Sequence, residues 1–205
     1  MIYEIRTYTL KVGSVGEVEK RFGEAYEHRK KYSPLAAFLH TEIGPLNQII
    51  HIWPYADLAE RAKVRAEASK DANWPPKIQE FILHMESEVL NPFPFISDIK
   101  PGKQGPIFEM RCYGIKAGTA PDLTRRWESK IEERAKLSPI IMAGLVEFGQ
   151  ANRFIHMWGY KSMDERLAIR EQARKAGVWP PPGGGDTLHT QENKILMPAA
   201  WSPLQ

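Results

Sequence analysis

His51 and His156 stand in matching local frames, His-Ile-Trp and His-Met-Trp, at an offset of 105 in a chain of 205 residues. An imidazole titrates near neutral pH, so a histidine facing a half-buried cavity can serve as general base or as ligand. Both are candidate catalytic residues, with the imidazole as proton acceptor. Glu4 and Arg6, and again Glu109 and Arg111, lie two residues apart, the spacing that puts both side chains on one face of a strand. The guanidinium fork suits an anionic or polar group and can stabilise developing negative charge. Tyr8, Trp53, Tyr113 and Trp158 supply walls for an aromatic ligand. The candidate ligand-binding set is therefore Glu4, Arg6, Tyr8 and Trp53 with Glu109, Arg111, Tyr113 and Trp158.

Each of these residues also has a purely structural reading. A strand histidine can bond a cross-strand glutamate, each arginine has an internal partner two residues away, and bulky rings can simply fill a narrow barrel. Trp74-Pro75-Pro76 and Trp179-Pro180-Pro181 read as a Trp anchored where a short helix or loop begins, rather than as a proline-recognition ligand. Cys112 reads as a buried small residue, not a nucleophile. The sequence has no metal-ligand spacing, phosphate-binding glycine loop or nucleophile elbow, so neither a metal nor a cofactor is expected.

The elements that position these residues come twice. With the 105-residue offset, Ile2 to Tyr8 falls on Ile107 to Tyr113, Ser33-Pro34 on Ser138-Pro139, and Trp74 to Pro76 on Trp179 to Pro181. Roughly 27 of these 75 pairs are identical, which only duplication explains economically. The copies diverge where Pro182 to Asp186, a loop by composition, replaces a stretch that reads as a short helix from Lys77 to Leu83. One extra residue then restores the match, placing Val89 to Pro92 on Ile195 to Pro198. Two domains are expected, 1–100 and 107–205, joined by a Pro/Gly linker from Lys100 to Pro106.

Within a copy, Ile2 to Leu10 alternates as a strand, and Ser14 with Glu17 (Thr119 with Asp122) marks a helix start. Val18, Phe22 and Ala25, and Leu123, Trp127 and Ile131, form its buried stripe. A hairpin from Ala36 to Trp53, a second helix opened by Asp57 and Glu60 (Ser162 and Glu165) and a last strand from about Glu86 (Glu192) complete the unit. The order β-α-β-β-α-β is the ferredoxin-like unit. The expected class is α+β, with tandem ferredoxin-like repeats in a dimeric-α+β-barrel-like architecture. Period two places Tyr3, Ile5 and Thr7 with Ile50 and Ile52 on one face, and Glu4, Arg6, Tyr8, His51 and Trp53 on the other. The first set is expected under the helices and the second between two facing sheets, where Glu42 and Glu147 can add carboxylates.

The totals set the class. A net charge of +3 with acids and bases interspersed, and only Arg29-Lys30-Lys31 as a basic cluster, reads as solvated helix faces and not as a nucleic-acid surface. No apolar run is long enough for a membrane helix, and a single cysteine allows no internal disulfide. The first strand pattern begins at Ile2, so no signal peptide is expected and the cytoplasm is the expected location. A small-molecule ligand and a homo-oligomer are the expected partners, with no nucleic acid and no membrane.

Ile2 to Gly13, the segment His51 to Leu58 that leads into a helix, and the closing Ile195 to Gln205 together resemble the signatures of NIPSNAP proteins, across essentially the whole chain. The resemblance implies the ferredoxin-like, dimeric α+β barrel fold and little about chemistry. Mitochondrial members carry a targeting extension; this sequence departs from them in showing none before Ile2, so a bacterial cytoplasmic protein is expected instead. Two functions stay open: a small-molecule site with cofactor-independent oxygenase- or isomerase-like chemistry, and a non-catalytic interaction module with a packed barrel core.

Overall fold

Alternation from Ile2 to Leu10 and its repeat from Ile107 to Ile115 produce the first strands of two like units in a computed structural model that describes residues 1–205. The first unit runs β1 (Ile2–Leu10), α1 (Val15–Arg29), β2 (Ala37–Ile43), β3 (Gln48–Tyr55), α2 (Leu58–Ala68) and β4 (Ile82–Pro92). The second runs β5 (Ile107–Ile115), α3 (Ala120–Ala135), β6 (Ile140–Phe148), β7 (Arg153–Tyr160), α4 (Met163–Lys175) and β8 (Leu188–Pro198). The helix expected over Lys77 to Leu83 is a single 3-10 turn, Gln79–Phe81, and β4 starts directly behind it at Ile82. The glycine-rich stretch of the second unit makes a similar turn, Gly184–Thr187.

Local signals explain most boundaries. Asp57 accepts from the Glu60 amide at 2.8 Å, and Ser162 from the Glu165 amide at 3.0 Å, so both second helices open with the reciprocal cap. The first helices differ from expectation. Ser14 and Thr119 have helical backbone angles, which turns their hydroxyls back to donate to Lys11 O and Lys116 O at 2.6 and 2.7 Å. They close the preceding turn instead of capping the helix.

The eight strands close into one antiparallel barrel in the order β1-β3-β2-β8-β5-β7-β6-β4. Each unit contributes four adjacent strands, and the units meet at two seams, β2 with β8 and β4 with β6. Both seams carry a register shift. Gly144 sits at the second, opposite Pro92, where an added Cβ would collide with Asn91 O and lie 2.7 Å from Pro92 Cα. The linker is tied down as well: Gly102 and Gln205 exchange a backbone bond of 2.9 Å beside the bridge from Gly102 to Leu204.

Alternation sorts the strand residues into the two expected sets, but the sets face the opposite way. Tyr3, Ile5, Ile50 and Ile52 pack in one cluster with Phe108, Met110, Ile155 and Met157, and residues from both units meet this way only inside the barrel. Cys112 belongs to this cluster, buried as expected but inside the barrel and not beneath a helix. Tyr8, Ile49 and Trp53 instead pack with Val18 and Phe22 of α1, and Tyr113, Phe154 and Trp158 with Leu123 and Trp127 of α3. The polar cavity expected between the sheets is thus a filled apolar core. The reason is solvation: a closed barrel offers a carboxylate neither water nor a helix to supply partners, whereas the sheet–helix gap opens at its rim. Polar groups enter the inward face only at one end, where Glu88 pairs with Arg153 at 3.1 Å and Lys194 donates to Gln48 at 2.8 Å.

The tight seam can be tested. Gly144→Ala should cost about 1–3 kcal/mol by overpacking, read as a lowered urea midpoint at constant slope. An unchanged midpoint would show that β4 and β6 are free to move apart.

Candidate functional site

Antiparallel pairing of β1 with β3 puts Arg6 opposite His51 and Glu4 opposite Trp53, so the candidate residues of the first unit converge on the helix-facing side of the sheet. There a pocket of about 330 Å³ lies between sheet and helices. Arg6, Tyr8, His51 and Trp53 line it from the sheet, with Phe22 and Arg29 from α1, Arg65 from α2, and Trp74 from the segment that follows α2. No aspartate or glutamate lines it.

Glu4 lies beside the pocket, wholly buried, with four donors on one oxygen: Arg61 at 2.7 Å, Arg6 and the Ser87 hydroxyl at 3.0 Å, and Arg65 at 3.5 Å. Arg61 and Arg65 are one helical turn apart on α2, which brings both to the same carboxylate. Burial alone raises the Glu4 carboxyl; the Arg61 hydrogen bond and the charges of Arg65 and Arg6 outweigh it and hold the group at about 2. Glu4 is an anion at any working pH, and its role is to fasten the second helix and orient arginines, not to carry protons.

His51 is 2% exposed, and its Nδ1 accepts a 2.6 Å bond from the Trp53 indole. An indole N–H can only donate, so this bond sets the tautomer. Burial first, then the Arg6 charge, pushes the imidazole well below its ordinary pKa, so the ring is neutral and its proton sits on Nε2. That nitrogen has no protein partner. In this arrangement Nδ1 is occupied by the indole, so the neutral ring carries its proton on Nε2 and offers no unoccupied acceptor nitrogen. The cross-strand glutamate bond considered from sequence is absent as well, because Glu4 is committed to arginines.

Arg29 was missed. Expected on a solvated face with Lys30 and Lys31, it is 2% exposed, stacked 4.5 Å from the Trp53 ring centroid, and bonded to the Ser33 and Tyr55 hydroxyls at 2.9 and 3.2 Å. Its partners are all neutral oxygens. Burial lowers its pKa, yet a guanidinium keeps its charge. The signal was present: Arg29 continues the stripe Val18, Phe22, Ala25, and the offset of 105 matches it to Arg134.

The second unit repeats the network. Glu109 takes Arg166 at 2.5 Å, Arg111 at 2.7 Å and Asn193 at 3.0 Å, and is likewise held at about 2, burial being outweighed by Arg166 and Arg111. Arg111 also donates to the Tyr113 hydroxyl. His156 accepts from Trp158 at 2.8 Å, and Arg134 stacks 4.1 Å from the Trp158 ring centroid. Glu42 and Glu147 are exposed and join neither site; Glu147 accepts from Asn91 at 3.1 Å.

Comparison with known proteins follows the same two-unit division. The NIPSNAP family model matches twice, over residues 3–97 and 108–203. NipSnap homolog 3A of Homo sapiens is 27% identical over all of this chain and 86% of its own length, and homolog 3B of Homo sapiens is 29% identical over 99% and 85%. Among solved structures, a Fusobacterium nucleatum protein aligns over 97% of this chain and 92% of its own at a TM-score of 0.67 and 14% identity. An anthrone oxidase-like protein aligns over 96% and 90% at 0.59 and 12%. These two share the fold.

The buried groups set the pH dependence of stability. His51 and His156 have folded pKa values below their unfolded ones, so their contribution is full above about pH 6.5 and is lost as pH falls below it. His40, raised by its 2.7 Å bond to Glu19, acts oppositely, contributing at low pH and losing that contribution as pH rises through its folded value. Stability should therefore drop between pH 6.5 and 5 by up to about 2.7 kcal/mol per unit for two protons, measured by urea unfolding. Replacing both buried histidines by asparagine should flatten that limb; a flat wild-type profile would contradict the neutral assignment. Below pH 4.5 a second loss, about 3 kcal/mol for each of Glu4 and Glu109, follows as they protonate toward 2.

Proposed function

This chain belongs to the NIPSNAP family, and we propose that its first repeat binds a small organic anion in the pocket between β1, β3 and the helices. The supporting observation is charge balance. Arg6, Arg29 and Arg65 line the pocket without an acidic residue among them; the one nearby carboxylate, Glu4, is shared among Arg6, Arg61 and Arg65, and the buried Arg29 has only neutral partners. Three cations at a half-enclosed site with one shared carboxylate favour a ligand that brings further negative charge. His51, which lines the pocket, holds a buried Nε2–H without a protein partner; in this reading a carboxylate, phenolate or enolate oxygen that reaches it takes up that donor.

Binding ranks ahead of catalysis in this reading. The donor set favours reactions in which negative charge develops on an oxygen, the first step of isomerase- and cofactor-independent oxygenase-like chemistry. With His51 held as a donor and no carboxylate lining the pocket, a proton acceptor is missing from the lining residues. Of the candidate residues, His51 is assigned to oxygen recognition, Arg6 to charge, and Tyr8 and Trp53 to walls; Glu4 acts on the arginines. The packed barrel interior does not argue for an interaction module, because the pocket lies outside it.

A thermal-shift comparison of organic carboxylates with their neutral amides tests the reading. A carboxylate at 100 times its dissociation constant should add about 2.7 kcal/mol of stability, and its amide should add far less. Arg65→Gln should weaken carboxylate binding about tenfold, or ~1.4 kcal/mol. Equal responses to acid and amide, or no response to any acid, would refute an anion site.

A further inference from the structure

The two repeats share the glutamate–arginine network, the His–Trp bond and the buried arginine, so the residues that differ around the histidines carry the information. At the offset of 105, Phe22 becomes Trp127, Ile49 becomes Phe154 and Phe38 becomes Ala143. The last two changes compensate each other: Phe38 stacks on His51 at 5.8 Å, and Phe154 stacks on His156 at 5.0 Å. One turn on from Trp127, Tyr26, which stands 6.1 Å from Trp53, becomes the smaller Ile131, so the larger ring at 127 is matched in part by a smaller neighbour. Trp127 lies 4.6 Å from Trp179, 4.7 Å from His156 and 6.3 Å from Trp158, and is 4% exposed. In the first repeat Phe22 stands 5.4 Å from Trp74 and 4.9 Å from His51, and the space beside Trp53 and Trp74 is the pocket.

We propose that Trp127 is a built-in occupant of the second repeat's counterpart of the pocket, and that the first repeat accepts in that place a flat aromatic ring carrying the anionic oxygen, one per chain. This rests on the anion-site reading and specifies its ligand. Trp127 packs edge-on to Trp179 at 88°, as the smaller Phe22 does to Trp74 at 84°; Trp53 and Trp74, 6.0 Å apart at 74°, form the aromatic corner against which a ligand ring would lie beside Phe22. His51 and the arginines at the pocket wall then meet the ring's carboxylate or phenolate. The second repeat holds the same polar groups but already contains its ring, and so takes no ligand.

Titration calorimetry with 2-naphthoate, and with its saturated counterpart decalin-2-carboxylate, tests this on the full chain. The wild type should bind one 2-naphthoate, at least tenfold tighter than the saturated acid. Phe22→Trp, which installs the second repeat's own residue, should abolish binding, and Trp127→Phe should raise the stoichiometry to two. Should Trp127→Phe fail to fold, Phe22→Trp decides alone. Equal affinity for the two acids, two sites in the wild type, or unaltered binding by Phe22→Trp would overturn the aromatic assignment while leaving the anion site standing. Absence of binding by either acid would remove both.

Discussion

A closed eight-stranded barrel seals its interior from water, and the rest of this structure follows from that constraint. Away from the end where Glu88 and Arg153 pair, inward side chains must be content among hydrocarbon, so Tyr3, Ile5, Ile50 and Ile52 and their counterparts occupy the inside. The charged and ring-bearing set is left for the outer face. There α1 and α3 bring a buried stripe to cover the rings, while α2 and α4 bring arginines to cover Glu4 and Glu109. The second helices bury few apolar residues, Ala68 in α2 and Ile169 and Ala173 in α4. Ion pairs to a strand glutamate therefore carry much of their attachment.

Duplication separates architecture from function within one chain. Whatever occurs in both halves with the same geometry is sufficiently explained by the fold: the glutamate with its arginines, the indole-to-imidazole bond, the arginine laid on a tryptophan. That common frame leaves one buried arginine without an acidic partner in each half, Arg29 and Arg134. In the first half a pocket of about 330 Å³ lies beside those cations, and in the second Trp127 stands 4.7 Å from His156. The electrostatic frame is therefore symmetric while the packing beside it is not.

The histidines show how context can reverse a chemical role. A free imidazole offers an acceptor near neutral pH, but the neighbouring tryptophan, two residues on and on the same face, consumes the acceptor nitrogen. Burial then keeps the ring neutral. What remains is a buried, unpartnered N–H of fixed orientation.

The amino-acid sequence by itself determined the repeat, the β-α-β-β-α-β order, the buried helix stripes and the grouping of Glu4, Arg6, Tyr8, His51 and Trp53 on one face, since periodicity and self-similarity are local properties of the chain. It also contained Arg29, in register with a stripe and matched to Arg134, although a run of three basic residues disguised it as surface. Only tertiary structure decided which face turns inward, because alternation is blind to sign and the choice depends on how two sheets close. The pocket of the first half was likewise decided only by packing, since its wall joins β1, β3, α1, α2 and Trp74, which are far apart in the chain.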